Sequence, residues 1–421
     1  MKLVNAAIPT TFLATPAAGE FARMDVTCEA GRIALVEPAR GEGGDVDCGG
    51  GLVVPAFVDM HTHLDQGHIW PRAQNPDGSF GGALSAVEAD RDAHWQAHDV
   101  KARFAFALRT AYAHGTAALR THISTTSRQI GISWPVFAEL KAEWADRLTL
   151  QGSSLTAIDD IAEEPGPLFD TVTRHGGMVG AFLYRTAGLR EGISHLLSAA
   201  EDRGLDIDLH VDEIHDPASD ILGDVATIAR NIGFSGTITC GHCCSLMVME
   251  EKKALEILDE VALAGLAIVS LPMCNQYLMA RDPAARRTPR VRGGTLVHEM
   301  AARGIPVAFA SDNTRDPFYA YGDLDMVEVW REATRILHLD HPVADWPRAF
   351  STTPAAIMGL PDRDAIGPGA PADLVVFTAR DWTELMSRPQ SDRRVIRDGA
   401  LIDATPPAYD ELDPLFFSPA P

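Results

Sequence analysis

An α/β chain built as a (β/α)8 barrel, with a small β-sandwich formed by both termini, is the fold class the sequence predicts. Three observations carry that expectation. Short apolar runs alternate with helix-like segments eight times over about 250 residues, the size and rhythm of such a barrel. Both ends read instead as short strands joined by Gly-rich turns, and histidines and acids gather where the apolar runs end. A doubly wound open sheet shares the alternation, and periodicity alone does not separate the two.

The chain opens MKLVNAAIPTTFLATPAA, an apolar stretch broken by Asn5, Pro9 and Thr10. The breaks argue against a secretory signal, so a first strand and turn is expected there, with the cytoplasm as the compartment. Short strands and Gly turns, among them GEGGDVDCGGG, continue to about residue 55. Eight strands are then expected at 57–61, 117–122, 148–151, 178–183, 206–210, 237–242, 266–271 and 306–312. Amphipathic stretches such as MEEKKALEILDEVALAGL separate them, and Gly265 and Gly304 stand where left-handed helix caps belong. From residue 364 the segments GPGAPADLVVF and RRVIRDGALID return to strands with Gly turns. Residues 1–55 and 364–421 are therefore assigned to one β-sandwich domain and 56–363 to the barrel that carries the chemistry. The Pro-rich tail DATPPAYDELDPLFFSPAP is expected to be extended.

Composition narrows the partners. Of 421 residues, 46% are hydrophobic and 22% charged, which is ordinary globular usage. Acidic residues outnumber basic ones 58 to 36, a formal charge of −22 that repels phosphate backbones and anionic lipid. Nucleic acid and membrane surfaces are excluded on that ground, and no apolar run approaches the ~20 residues of a membrane span. Six cysteines make no disulfide framework. Cys240 and Cys243 have CxxC spacing without a second pair, and are expected to be buried small hydrophobes near a strand end.

A barrel converges its loops at the C-terminal ends of the strands. Strand one ends in His61-Thr62-His63, strand two in His122, strand five in His210, strand six in His242 and strand eight in Asp312. Alternation puts His61 and His63 on one face. Those two imidazoles, a third from His210 and the carboxylate of Asp312 suit one divalent metal ion, Zn or Fe, whose bound water becomes acidic enough to supply hydroxide near neutral pH. Glu213, three residues beyond His210 in LHVDEIHD, is placed to shuttle a proton. Asn313 and Phe318, on the strand-eight loop, are expected to touch substrate. His68, Trp70 and His215 lie near the same loops but are read as structural or peripheral.

The segments PAFVDMHTHLD, HVDEIHD, TCGHCC, SDNTRDPFYAYG and GPGAPADLVVF resemble the amidohydrolase superfamily, and within it the cytosine deaminase branch. The order of motifs runs from Pro55 to Phe377. The resemblance implies a metal-dependent barrel with a sandwich from both termini, and His61, His63, His210 and Asp312 match the ligands of that family. It also implies that Glu213 is the proton shuttle and that His242 contacts the attacking hydroxide or the substrate. Departures fall on the base-reading positions. Asn313 replaces a second Asp, Phe318 replaces a Trp, and Ser153-Ser154 stand where a Gln reads the pyrimidine, making Ser154 a candidate substrate contact. The pocket is therefore expected to suit another ring. Strand four, MVGAFLYR, has no Lys of the kind that bridges two metals, so one metal is expected.

These residues imply a hydrolytic deaminase of an amino-substituted N-heterocycle of the cytosine, isoguanine, pterin or aminotriazine type, with release of ammonia. One rival keeps the metal site but releases an alkylamine or opens a cyclic amide, and the missing Lys argues against ring opening. A second rival is an inactive barrel that binds a ligand. The partner is a small aminated heterocycle, and assembly into a homo-oligomer rests on fold analogy alone.

Overall fold

Most of the eight runs form strands buried on both faces, the environment in which parallel strands read as continuous hydrophobic segments. The computed structural model describes residues 1–417 except 42, 127, 164, 283, 285 and 292. Its strands are β1 (Phe57–Thr62), β2 (Thr116–Ser124), β3 (Thr149–Leu155), β4 (Val179–Phe182), β5 (Ile207–Val211), β6 (Ile238–His242), β7 (Ala267–Ser270) and β8 (Val307–Phe309). Each overlaps an expected run, although β3 continues four residues past its expected end and β8 stops three short of it, and every residue of β1, β2 and β5 is buried. β4 to β8 pair in chain order as one parallel sheet, and β1, β2 and β3 form a second sheet in that order. Parallel bridges Ser153–Met178 and Ala157–Phe182 link the β3 and β4 segments, and Thr62–Asp312 links β1 to the segment after β8.

Helices fill the intervals. The stretch read as MEEKKALEILDEVALAGL is the helix Glu251–Ala264, with Ala254, Ile257, Leu258 and Val261 inward. Gly265 closes it at φ 67°, a conformation that costs a residue with a Cβ.

The chain divides into two compact units: Met1–Asp59 with Arg109–Ala118 and Leu324–Pro407, and Met60–Leu108 with Leu119–Asp323 and the chain from Ala408 onward. The first holds two four-stranded sheets. One orders Arg32–Pro38, Phe21–Glu29, Lys2–Pro9 and Val46–Asp47; the other mixes both ends of the chain, Ala400–Leu401, Arg394–Arg397, Leu374–Val376 and Val53–Pro55. Helix Met326–Leu337 belongs to the same unit because its apolar stripe of Met326, Val329, Trp330, Ala333 and Leu337 is buried there. Trp330 lies flat on Phe350 with centroids 5.3 Å apart and edge-on to Trp382 at 5.6 Å.

The tail departs from its expected extended form. Tyr409–Leu412 is a 3-10 turn and Asp413–Phe416 a single helical turn, with Pro414 in the first turn, where its missing N–H costs nothing. Tyr409 anchors it within the second unit: its hydroxyl donates to Asp323 at 2.5 Å and Arg315 covers its ring at 4.2 Å. Residues 418–421 of that tail lie outside the described residues. Among the described residues no helix is long and apolar enough to cross a membrane.

Candidate active site and metal centre

Strand ends bring the histidines together. Asp312 N–H donates to the His61 carbonyl at 3.0 Å, so the end of the eighth run lies beside the end of the first. His210 pairs with Gly241 and Val211 with His242, which makes the ends of β5 and β6 neighbours. Both His242 and Asp312 leave the sheet with left-handed backbone, φ 69° and 64°.

Four donor atoms converge. His61 Nε2 lies 3.2 Å from His210 Nε2, His210 Nε2 lies 3.3 Å from His63 Nε2, and Asp312 Oδ1 lies 3.1 Å from His63 Nε2 and 3.7 Å from His61 Nε2. These separations match the edges of a tetrahedron, about 3.4 Å for ligands about 2.1 Å from a zinc ion. Imidazole nitrogens facing one another three at a time cannot all share protons. Both Asp312 oxygens are buried and, among the described residues, accept no hydrogen bond of good geometry. A cation satisfies all four groups at once, so this donor set fits a divalent metal.

The electrostatics agree. Burial, then the surrounding imidazoles, hold His61 and His210 well below the usual histidine range, so each keeps a lone pair to offer. Burial works against the charge of His63 too, yet the facing Asp312 carboxylate raises it. Burial opposes the charge of Asp312, but His63 and His242 outweigh it and keep the carboxylate ionised. His122 adjoins this cluster: its Nε2 lies 3.1 Å from Nδ1 of His61, and its ring centroid lies 4.5 Å from that of His210.

Beside the cluster, a cavity of about 240 Å³ is lined by His63, His210, Glu213, His242, Asp312, Asn313 and Phe318. Glu213 is 15% accessible, with Oε1 3.5 Å from Nδ1 of His242. Burial, then the charge of Asp312, push its carboxyl well above the usual carboxylate range. Burial lowers His242 to about 4, and its Nε2 is buried without a partner among the described residues. Asn313 lines the cavity, but its Nδ2 donates to Asp316 at 2.8 Å, and Asp316 also accepts from Gln66 at 2.7 Å.

Ser154 is not brought to the cavity. Its hydroxyl donates to the Gly180 carbonyl at 2.8 Å and accepts the Gly180 N–H at 2.9 Å, tying β3 to β4, while Leu155, Thr156 and Ala157 just beyond form the wall. His68 is buried against Phe106, ring centroids 4.9 Å apart, and His215 lines an outer cavity that adjoins the first. All six cysteines are buried free thiols, and burial raises Cys240 and Cys243 so that they stay protonated.

Two contributors were not read from the sequence. Helix Phe80–His94 lays Phe80, Leu84, Val87, Glu88 and Arg91 along the cavity, positions that share one helical face. Asn275, after β7, places its Nδ2 3.0 Å from Nδ1 of His242. The apolar spacing at 80, 84 and 87 was a visible signal, whereas Asn275 had none beyond its place near a strand end.

A family model described as Amidohydrolase family matches residues 111–405. The chain belongs to the amidohydrolase family. Among curated relatives of this amidohydrolase is a pterin deaminase of Rhizobium rhizogenes (strain K84), 48% identical over 419 residues, spanning 98% of this chain and 95% of that protein. Among solved structures, 5-methylcytosine deaminase of Klebsiella pneumoniae with 5-fluorocytosine superposes at TM-score 0.83 and 22% identity, over 96% of this chain and 97% of that one. N-isopropylammelide isopropylaminohydrolase of Burkholderia multivorans superposes at TM-score 0.75 and 20% identity, over 95% and 97%. The amidohydrolase fold is therefore shared across nearly the whole chain.

Proposed function

We propose that this amidohydrolase is a hydrolytic deaminase of a pterin-type ring, removing as ammonia the amine on the carbon between two ring nitrogens. One observation carries the chemistry: the largely buried carboxyl of Glu213 stands beside four converging donors in a cavity with an aromatic wall. The 48% identity to a pterin deaminase supports the choice of ring.

In this reading one divalent ion, Zn or Fe, sits on His61, His63, His210 and Asp312, and when bound supplies the Lewis acidity that brings the pKa of water toward neutrality. Glu213 gives its proton to the ring nitrogen next to the amine-bearing carbon, which makes that carbon electrophilic. Water adds there, losing a proton to the Asp312 carboxylate, while His242 faces the new oxygen. As the tetrahedral centre collapses, Glu213, now a carboxylate, takes the proton of the new hydroxyl and carries it to the departing amine; the carbon–nitrogen bond breaks, ammonia leaves, and the proton held on Asp312 passes back to Glu213. Phe318, whose ring meets Phe80 edge-on at 5.3 Å, supplies a flat apolar wall for the ring. The same reading takes the eight strands as one closed (β/α)8 barrel, supported by the bridges Thr62–Asp312 and Ser153–Met178, and the terminal sheets as a sandwich.

The test is ammonia release from aminated pyrimidines, purines, pterins and triazines by metal-loaded protein, with Glu213→Ala as the blank. Ammonia is expected from pterins and not from the variant. Release of an alkylamine or opening of a ring, with no ammonia from any compound, would replace this reading.

A further inference from the structure

The short helix Pro272–Leu278, directly after β7, carries no histidine or acid, yet it touches the site twice. Cys274 Sγ lies 3.5 Å from Oδ1 of Asn313, and Asn275 Nδ2 lies 3.0 Å from Nδ1 of His242. Asn275 is held on a fixed backbone: its N–H donates to the Leu271 carbonyl at 3.0 Å, its carbonyl accepts from Met279 at 2.8 Å, and only 1% of the residue is exposed. The other ring nitrogen of His242, Nε2, is buried without a partner among the described residues, on a residue that lines the cavity. A neutral imidazole carries one proton. With an amide donating to Nδ1, that proton resides on Nε2.

We propose that Asn275 is a positioning residue that fixes the Nε2–H tautomer of His242, so that this histidine meets the reacting centre as a hydrogen-bond donor. The inference rests on the deaminase reading above. A donor at that point stabilises the negative charge that gathers on oxygen as water adds to the ring carbon, whereas the opposite tautomer presents a lone pair to it. Asparagine suits the task because its amide donates without ionising; an aspartate of the same shape offers only acceptors. Glu213 Oε1, 3.5 Å from the same Nδ1, is the more distant partner. The segment after β7 thus orients a reactive residue, while the C-terminal ends of β1 and β5 and the segment after β8 bring the four converging donors.

Asn275→Asp and Asn275→Leu would be assayed for ammonia release from pterin, with metal content measured alongside. Asn275→Asp forces the proton onto Nδ1, and kcat is expected to fall roughly 100-fold with KM held within about threefold and metal content unchanged. Asn275→Leu enforces neither tautomer and is expected to lose less. In the wild-type protein labelled with 15N-histidine, the His242 resonances, identified by their loss in His242→Asn, are expected to show the proton on Nε2. Wild-type kcat in Asn275→Asp, or a proton on Nδ1 in the wild type, would overturn the proposal. If the wild type releases no ammonia from any ring, the deaminase reading falls, while the imidazole spectrum still judges the tautomer. That spectrum also decides the matter if neither variant folds.

Discussion

Glu213 illustrates how a commonplace residue acquires a function from its surroundings. A solvated glutamate is ionised at neutral pH. Here burial, then the fixed negative charge of Asp312, raise its carboxyl well above the usual range, and 3.5 Å separates it from the ring of His242. A group that must both give and take a proton works best with its pKa near the working pH. Glu213→Gln preserves the shape and removes the transferable proton. We expect kcat for ammonia release to drop by about 10²- to 10⁴-fold. Metal content should stay at the wild-type level, because Glu213 is not one of the four converging donors. Steady-state kinetics with metal analysis checks both, and metal loss in the variant would mean that Glu213 is itself a ligand. Phe318 is a milder case: Phe318→Ala removes one aromatic face from the cavity wall. A rise in KM of about tenfold with little change in kcat is expected, equivalent to about 1.4 kcal/mol of ring contact.

At the scale of the element, the strands do more than carry ligands, since they also leave room for them. Gly241 stands in β6 opposite His210, and a Cβ there would lie 2.8 Å from Cε1 and 3.1 Å from Nδ1 of His61. His61 is fully buried and has little space to retreat. Gly241→Ala should therefore displace His61 from the converging set and lower metal affinity by roughly 10- to 100-fold, the range seen when the support of a metal-binding histidine is lost. Competition with a chelator measures this directly, and unchanged affinity would show that the sheet yields instead. The Gly of the Gly-His pair was conspicuous in the sequence, although its reason was not. The legible parts share a cause. Strands buried on both faces read as apolar runs, and donors at their ends read as histidines and acids at regular intervals. Asn275, Arg91 and the engagement of the Ser154 hydroxyl between β3 and β4 were not legible, because each depends on which neighbour the fold supplies. The tail misled because Pro residues suggest an extended chain, whereas the ring of Tyr409 and the first-turn Pro414 stabilise helical turns.

At the scale of the whole molecule, so many neutral imidazoles in one interior make folding depend on pH. His61, His122 and His210 are held well below their usual range by burial first and neighbouring positive charge second; burial brings His68 to about 3 and His242 to about 4. The unfolded chain takes up protons at these five positions as pH falls below about 6.5, while the folded metal-free chain does not, so stability is lost in that direction. Each such histidine contributes a slope of up to about 1.4 kcal/mol per pH unit until its folded pKa is reached. Groups raised by burial oppose this. Glu213 stands well above its usual value, and Asp208 and Asp212 at about 6, so between about pH 4 and 6 the folded state also holds extra protons. His63, raised by Asp312, opposes it as well. Burial lowers His175 and His215 as well and raises Asp65, Asp224 and Asp316, so the steepest loss falls between about pH 6.5 and 6, where the histidines of the unfolded chain have begun to charge and its carboxyls have not. Metal-free protein should therefore melt at a lower temperature at pH 6 than at pH 7.5. Added Zn should raise the melting temperature at pH 7.5 more than at pH 6, because protons compete with the metal for the same lone pairs. Melting curves at the two pH values, with chelator and with Zn, test both statements. A metal-free protein equally stable at both would show that the imidazole cluster is hydrated rather than buried, and the four converging donors would then lose their strongest claim to a cation.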